Sequence, residues 1–241
     1  MAIDKHSSLC VMTAKGHSSR LPGKNAKRLL GKPLFSYGLE AALAAGCFTD
    51  IYISTDDEQI AALSMKIDTI QVDIRPDIMR GDQYSADQVT AELVQRLGGE
   101  DVYDSVCLIN PCCPLVQPFH LRDALKIFAA SREAEMIASV TKAKYDPRYY
   151  YVLDGGCLIK NWREKRIQSN RNKPMFLGNG AFNIIRTGAL LRHQTVFVTP
   201  IIPYVMDELY AFDVDTQSEF DRTVRQMKIL RTLAAGLLGD E

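Results

Sequence analysis

Leu9-Cys-Val-Met-Thr-Ala14, running straight into Lys15-Gly-His-Ser-Ser-Arg-Leu-Pro-Gly-Lys-Asn25, decides how this chain is read. A short apolar run reads as a strand, and the glycine- and serine-rich basic stretch after it reads as a loop. From Leu34 to Ala45 apolar residues recur at helical spacing and stop before Gly46, a suitable C-terminal stop. Asp50 to Thr55 is a second strand, and Asp56-Asp57-Glu58 opens a helix through about Lys66, with acidic residues at the positive end of its dipole. Thr69 to Ile74 is a weaker strand, Ala86 to Leu97 a helix and Ser105 to Asn110 a buried strand. A proline-rich turn, Pro111 to Pro118, leads into a helix through about Ala130 and a strand from Met136 to Thr141. Strands alternating with helices of this length predict right-handed crossovers and a mainly parallel sheet covered on both faces, a doubly wound α/β fold. Ligands bind such sheets at the carboxyl ends of the strands, so the loops after Ala14, Ser54 and Ile109 are expected to converge on one site.

The rhythm breaks after Tyr145. Residues 146–173 hold Pro147, the cluster Tyr149-Tyr150-Tyr151, Gly155-Gly156 and many charges, and read as a hairpin and irregular excursion that packs on a partner subunit. Regular structure returns at Ala181 to Ile185, at Ile201 to Met206 and in a last helix from about Ser218 to Leu233. The whole of 1–241 is read as one domain, with 146–173 its excursion.

Lysine plus arginine equals aspartate plus glutamate at 29 each, which argues against a nucleic-acid or membrane-surface binder. No apolar run is long enough to span a bilayer, and Met1 to Ser8 is too short and polar for a secretory signal. The six cysteines show no CxxC spacing or paired framework and read as buried thiols of a cytoplasmic protein.

The loop after Ala14 is neither GxGxxG nor GxxxxGK[ST], which excludes the common dinucleotide and Walker-type sites. It nevertheless suits an anion. Gly16 permits close backbone approach, Ser18 and Ser19 add hydroxyls, and Lys15, Arg20 and Lys24 add positive charge around consecutive main-chain N–H groups. Composition alone leaves a solvated basic loop open, and His17 is given no catalytic role. No zinc-spaced His/Cys cluster is present, so a hard, oxygen-bound ion is the expected metal.

At these residues the chain resembles the acylneuraminate cytidylyltransferases, the CMP-sialic acid synthetases and their relatives, over about residues 9 to 225. The family pattern PARxxSKxxPxKN followed by GKPL is met by Ala14-Lys15, Ser18, Leu21-Pro22, Lys24-Asn25 and Gly31-Lys-Pro-Leu34. Ile53-Ser-Thr-Asp-Asp57 matches VSTDD, and Arg75-Pro76 with Gly81-Asp82 resembles RPxxLAxD. Ile109-Asn-Pro-Cys-Cys-Pro-Leu115 resembles LQPTSPL, Asn179-Gly-Ala-Phe182 matches NGAFY and Asp213-Val-Asp-Thr216 matches DIDT. Lys15, Asn110 and Val116 stand where the family has arginine, glutamine and arginine, and Arg20 to Lys24 resembles the Kdo cytidylyltransferases.

The resemblance implies a Rossmann-like nucleotidyltransferase fold and transfer of CMP from CTP to an acidic keto-sugar, sialic acid or a related nonulosonic acid, with Mg²⁺ and in a homodimer. Lys24, Arg20 and Asp215 are the implied catalytic residues. Lys15, Gly16, Ser18, Asn25, Asn110 and Asp82 would bind the nucleotide, and Asn179, Gly180, Arg171 and Lys173 the sugar. Asp213 and Asp215, expected on one face of a strand, would hold the metal. Competing local readings are a helix N-cap at Thr216 or Ser218, a turn-forming Asn110 before proline, and a solvated basic turn at Arg171 and Lys173. Competing functions are a Kdo-type enzyme, a sugar-1-phosphate nucleotidyltransferase using UTP or GTP, and a non-catalytic nucleotide-binding protein of the same fold.

Overall fold

A computed structural model describes residues 7–81, 83–145, 151–155, 157–160 and 173–237. In chain order the elements are β1 (Ser8–Ala14), β2 (Arg28–Leu29), β3 (Lys32–Pro33), α1 (Leu34–Ala45), β4 (Asp50–Thr55), α2 (Glu58–Ser64), β5 (Gln71–Ile74) and α3 (Ala86–Arg96). There follow β6 (Ser105–Ile109), α4 (Pro118–Ala130), β7 (Met136–Lys142), β8 (Tyr151–Asp154), β9 (Cys157–Lys160), β10 (Phe176–Arg186), α5 (Thr187–His193), β11 (Ile201–Val205) and α6 (Gln217–Leu237).

The apolar runs become central strands because both of their faces are covered. In β1, Cys10, Met12 and Ala14 enter one core while Leu9 and Val11 enter the other. In β6, Cys107 and Ile109 divide from Val106 and Leu108 in the same way. A period of two splits a continuous apolar run between two layers. Phe35 and Leu39 of α1, Ile60 of α2 and Leu121 and Phe128 of α4 cover the first face. Leu93 and Val94 of α3 and Leu190 of α5 cover the second.

The main sheet has seven strands in the order β11-β7-β10-β6-β1-β4-β5. β1 pairs in parallel with β4 and β6, β4 with β5, and β11 with β7. The departure from a parallel sheet is β10, antiparallel to both β6 and β7. It is also longer than the expected Ala181–Ile185 segment, and its pairing with β7 shifts register between Gly178 and Asn183. From β1 the chain builds outward through β4 and β5, then crosses back to lay β6 on the other side of β1. That reversal opens a crevice at the carboxyl ends of β1 and β6.

Helix starts are well specified. Asp57 accepts the Ile60 N–H at 2.8 Å to cap α2, and Ser85 with Gln88 forms a capping box on α3. A third apolar cluster, including Leu21, Leu29, Cys112, Val214 and Phe220, ties the loops at the crevice to α6. Each fully buried leucine or phenylalanine contributes on the order of 2 kcal/mol, so the loop from Lys15 to Lys32 is anchored at both Leu21 and Leu29. The small β2–β3 hairpin and helix α5 add to the expected elements. Of the excursion, β8 and β9 pair as an antiparallel hairpin with Tyr151, Val152 and Leu153 exposed. Most of the rest of 146–173 lies outside the described residues.

Candidate active site

The loop after β1 is shaped by three local contacts. Asn25, buried, donates from Nδ2 to the Lys15 carbonyl at 2.8 Å and closes the loop on itself. Gly23 takes a left-handed conformation, φ 63°, just before the single helical turn Lys24–Ala26. The Gly16 N–H donates to Asp56 Oδ1 at 2.9 Å, and a Cβ at Gly16 would overlap the Asp57 carboxylate. This glycine is therefore required by the approach of the loop to the end of β4. Asp56 in turn faces buried Arg75 at 3.7 Å, whose guanidinium donates to the Ser54 carbonyl at 3.1 Å. Burial lowers the Arg75 pKa, and Asp56 opposes that loss.

Across the crevice, Lys24 and Arg20 grip one carboxylate from two sides. Lys24 Nζ donates to Asp215 Oδ1 at 2.7 Å, and Arg20 Nη2 meets Asp215 Oδ2 at 2.6 Å. Burial opposes the Lys24 charge, but Cys112 and Asp215 outweigh it and hold the pKa above the ordinary lysine value. Burial pushes the Asp215 carboxyl up, but Lys24 and Arg20 outweigh it and hold that carboxyl below the ordinary range. Asp213 makes no such ion pair among the described residues; desolvation and the neighbouring Asp215 charge push its pKa up to about 6, with Lys24 and Arg20 opposing.

The strand expected around Asp213 and Asp215 is not formed; residues 211–215 carry no regular secondary structure. The alternation survives for another reason. Val214 is fully buried, and its N–H donates to the Cys112 carbonyl at 3.0 Å, which turns its two neighbours toward the crevice. Just beyond, Glu219 accepts from the Asp215 N–H at 3.0 Å and from the Thr216 N–H and hydroxyl at 2.9 Å. Thr216 Oγ1 accepts from Glu219 N at 3.3 Å, completing a capping box on α6. The cap and the carboxylate pair therefore coexist.

On the β6 side, Asn110 Oδ1 accepts the Cys112 N–H at 2.9 Å, which makes it the turn-forming residue before Pro111 and leaves Nδ2 toward the site. A Cβ on Gly180, φ 68°, would stand 3.8 Å from Asn110 Nδ2 and 3.9 Å from Asp213 Oδ2, so the three groups meet at one point. Asn179 is largely committed to the bulge in β10: its Oδ1 accepts from Ser139 Oγ at 2.6 Å and from the Ala181 N–H at 3.1 Å. Its Nδ2 is buried with no hydrogen-bond partner among the described residues.

These loops enclose a cavity of about 510 Å³, within the usual range for small-molecule sites, about 300–1,000 Å³. Of the residues expected from sequence, Lys15, Ser18, Arg20, Lys24, Asn25, Asn110, Gly180 and Asp215 line it. Gly16 and Asp213 do not line it; Gly16 lies between the lining residues Lys15 and His17, and Asp213 lies beside Gly180. Lys173 is exposed at the approach to β10, and Asp82 and Arg171 lie outside the described residues. The sequence reading missed Arg75, Tyr84, Ser85, Asp87, Cys112 and Asn183, which also line the cavity. An arginine followed by proline at a strand end was the available signal for Arg75. Cys112 was read only as a buried thiol. Its Sγ donates to Asn25 Oδ1 at 3.4 Å, and burial, partly offset by Lys24, raises its pKa to about 11.

Among the described residues no group of three His, Cys, Asp or Glu side chains is placed to hold a metal. Asp213 and Asp215 do suit a Mg²⁺ ion that takes its remaining ligands from water and phosphate, and the Asp215 charge already acts on the Asp213 carboxyl beside it.

Comparison with known proteins agrees with this geometry. The profile of the cytidylyltransferase family matches residues 9–232. The chain is 27% identical to the CMP-N,N'-diacetyllegionaminic acid synthase of Legionella pneumophila, covering 92% of this chain and 96% of that protein. It is 26% identical to a pseudaminic acid cytidylyltransferase of Campylobacter jejuni, over 89% and 93% of the two chains. A solved CMP:2-keto-3-deoxy-manno-octonic acid synthetase complexed with CTP superposes with a TM-score of 0.69 over 92% of this chain and 98% of that one. At 14% identity that likeness speaks for the fold alone. A profile that runs through nearly the whole chain, with relatives covered almost end to end, makes this protein a member of the cytidylyltransferase family.

Proposed function

We propose that the protein transfers CMP from CTP to an acidic keto-sugar of the nonulosonic class and releases pyrophosphate. The observation that carries the reading is the meeting of Arg20 and Lys24 on Asp215 at the crevice where β1 and β6 end. The names of the legionaminic and pseudaminic acid relatives support the acceptor class.

In this reading the sugar's anomeric hydroxyl attacks the α-phosphorus. A new P–O bond forms, the bond to the bridging oxygen breaks, pyrophosphate departs and the hydroxyl proton is given up. Alignment and charge neutralisation are the protein's main contributions to such a step. Lys24 and Arg20 hold phosphate oxygens, with Lys15, Ser18, Asn25 and the N–H groups around Gly16 completing the cradle. Asp213 and Asp215 would hold Mg²⁺, which when bound supplies further charge neutralisation at the phosphates. Asn110, through Nδ2, or the main chain nearby would read the cytosine edge, and Gly180 leaves room beside it. The Lys173 charge suits the sugar carboxylate, with Arg171 as a further contact and Asn179 shaping the bulge beside it, while Asp82 would belong to the nucleotide side.

Equal numbers of acidic and basic residues suit small anionic substrates rather than nucleic acid. No described helix is long and apolar enough to cross a membrane, and the cysteines are free, as suits a cytoplasmic enzyme. The exposed Tyr151, Val152 and Leu153 of β8 suit a homodimer contact.

The test is pyrophosphate release with Mg²⁺, pairing each of the four ribonucleoside triphosphates with a panel of keto-acid sugars. Release with CTP and a nonulosonic acid is expected. Release with CTP and Kdo alone would move the acceptor to the neighbouring class, and release with UTP or GTP would contradict the base.

A further inference from the structure

We infer that Asp215 also serves the empty site as an internal stand-in for phosphate, so that triphosphate and divalent cation bind by exchanging partners and each favours the other. The inference rests on the phosphate-binding reading of Arg20 and Lys24 given above.

Both carboxylate oxygens of Asp215 are engaged, Oδ1 by Lys24 at 2.7 Å and Oδ2 by Arg20 at 2.6 Å. An anion entering alone must compete with this carboxylate for both cations. A divalent cation entering alone meets a ligand already neutralised, with two positive groups within a few ångströms of where it would sit. When both enter, the cations pass to the phosphates and the released carboxylate passes to the metal, which also prefers phosphate oxygens. The cost of parting the ion pairs is then met once for two ligands, which is positive coupling between their sites.

The side chains suit this exchange. Arg20 is 65% exposed, with solvent around it to turn into, whereas Lys24 is 12% exposed and confined. Glu219 ties down the main chain of Asp215 and Thr216, so the released carboxylate stays at the crevice.

The test is binding of inorganic pyrophosphate in the presence of EDTA at pH 8, followed by calorimetry. Removing the internal competitor in Asp215→Asn is expected to tighten binding about tenfold, the scale of one strong or two modest ion pairs. Asp213→Asn removes a nearby carboxylate that makes no ion pair with Arg20 or Lys24 among the described residues, and it is expected to gain much less. Equal gains in both variants, or none in Asp215→Asn, would overturn the exchange. Arg20→Met approaches from the other side and also covers a poorly folded Asp215 variant. It is expected to bind Mn²⁺ alone more tightly than the wild type, and unchanged or weaker Mn²⁺ binding would overturn the exchange. Wild-type binding of CTP with Mg²⁺ separates the two ideas. Its presence without the gains sinks the exchange alone, and its absence sinks the phosphate-site reading itself.

Discussion

Lowering the pH from 8 to 5 should cost this protein stability through one buried imidazole, that of His120 in the first turn of α4. His120 is 3% exposed and packed among Phe119, Tyr204 and Tyr210, and its Nδ1 accepts the Gln117 N–H at 3.0 Å. The ring is therefore neutral in the folded state, and protonation would remove the acceptor and place a cation at the positive end of a helix. Burial lowers its pKa from 6.5 to about 4, with Asp123 and Asp207 opposing the shift. The unfolded chain thus binds more protons between those two values, so the contribution is complete above about pH 6.5 and is lost as pH falls toward 4. The linkage relation gives a loss of about 2 kcal/mol at pH 5 relative to pH 8. Urea unfolding of the wild type and His120→Asn across this range isolates the effect, because asparagine offers an acceptor and does not titrate. The stability difference between the two proteins should shift by that amount toward the variant on acidification. A difference that stays constant, or an NMR titration placing the His120 pKa above 6, would refute the reasoning.

Lys24→Met should leave the protein folded and lower kcat/KM about 10²- to 10³-fold, the scale of one charged phosphate contact made in the transition state, as read by steady-state kinetics. Gly16→Ala forces a methyl into the Asp57 carboxylate and should cost about 1–3 kcal/mol in chemical denaturation while weakening CTP binding; wild-type behaviour would show that the loop can shift freely. Cys112, with its thiol pKa raised to about 11, should be alkylated by iodoacetamide at pH 8 far more slowly than a free thiol and slower still with CTP bound. Rapid labelling, followed by mass spectrometry, would contradict its burial.

Much of the fold was legible because β1 and β6 are continuous apolar runs bounded by turn residues, and because the helices between them carry clear starts at Asp57, Ser85 and Pro118. Strand direction was not legible. The pattern of Ala181–Ile185 is the same whichever way the segment runs, and only the sheet reveals β10 as antiparallel. In the site, the rule that ligands gather at strand ends pointed to the loops after Ala14 and Ile109, whose Lys15, Lys24 and Asn110 line one cavity, whereas Gly180 beside them was signalled only by the family resemblance. The geometry around Asp213 and Asp215 came from a different cause than the one expected: burial of Val214 against the Cys112 turn, not a strand ladder. Side-chain commitments were also hidden. Nothing in the chain's pattern says that the Asn179 oxygen is taken up by Ser139, or that both oxygens of Asp215 are gripped by cations, since these contacts span about 40 and about 190 residues.

The most direct test of the central claim follows an oxygen atom. The protein is given CTP, Mg²⁺ and a nonulosonic acid carrying ¹⁸O in its anomeric hydroxyl, and the products are separated for mass spectrometry. Attack on the α-phosphorus places the label in the bridge of a CMP-sugar and leaves pyrophosphate unlabelled. Labelled pyrophosphate, or hydrolysis of CTP with no labelled CMP-sugar, would contradict the account.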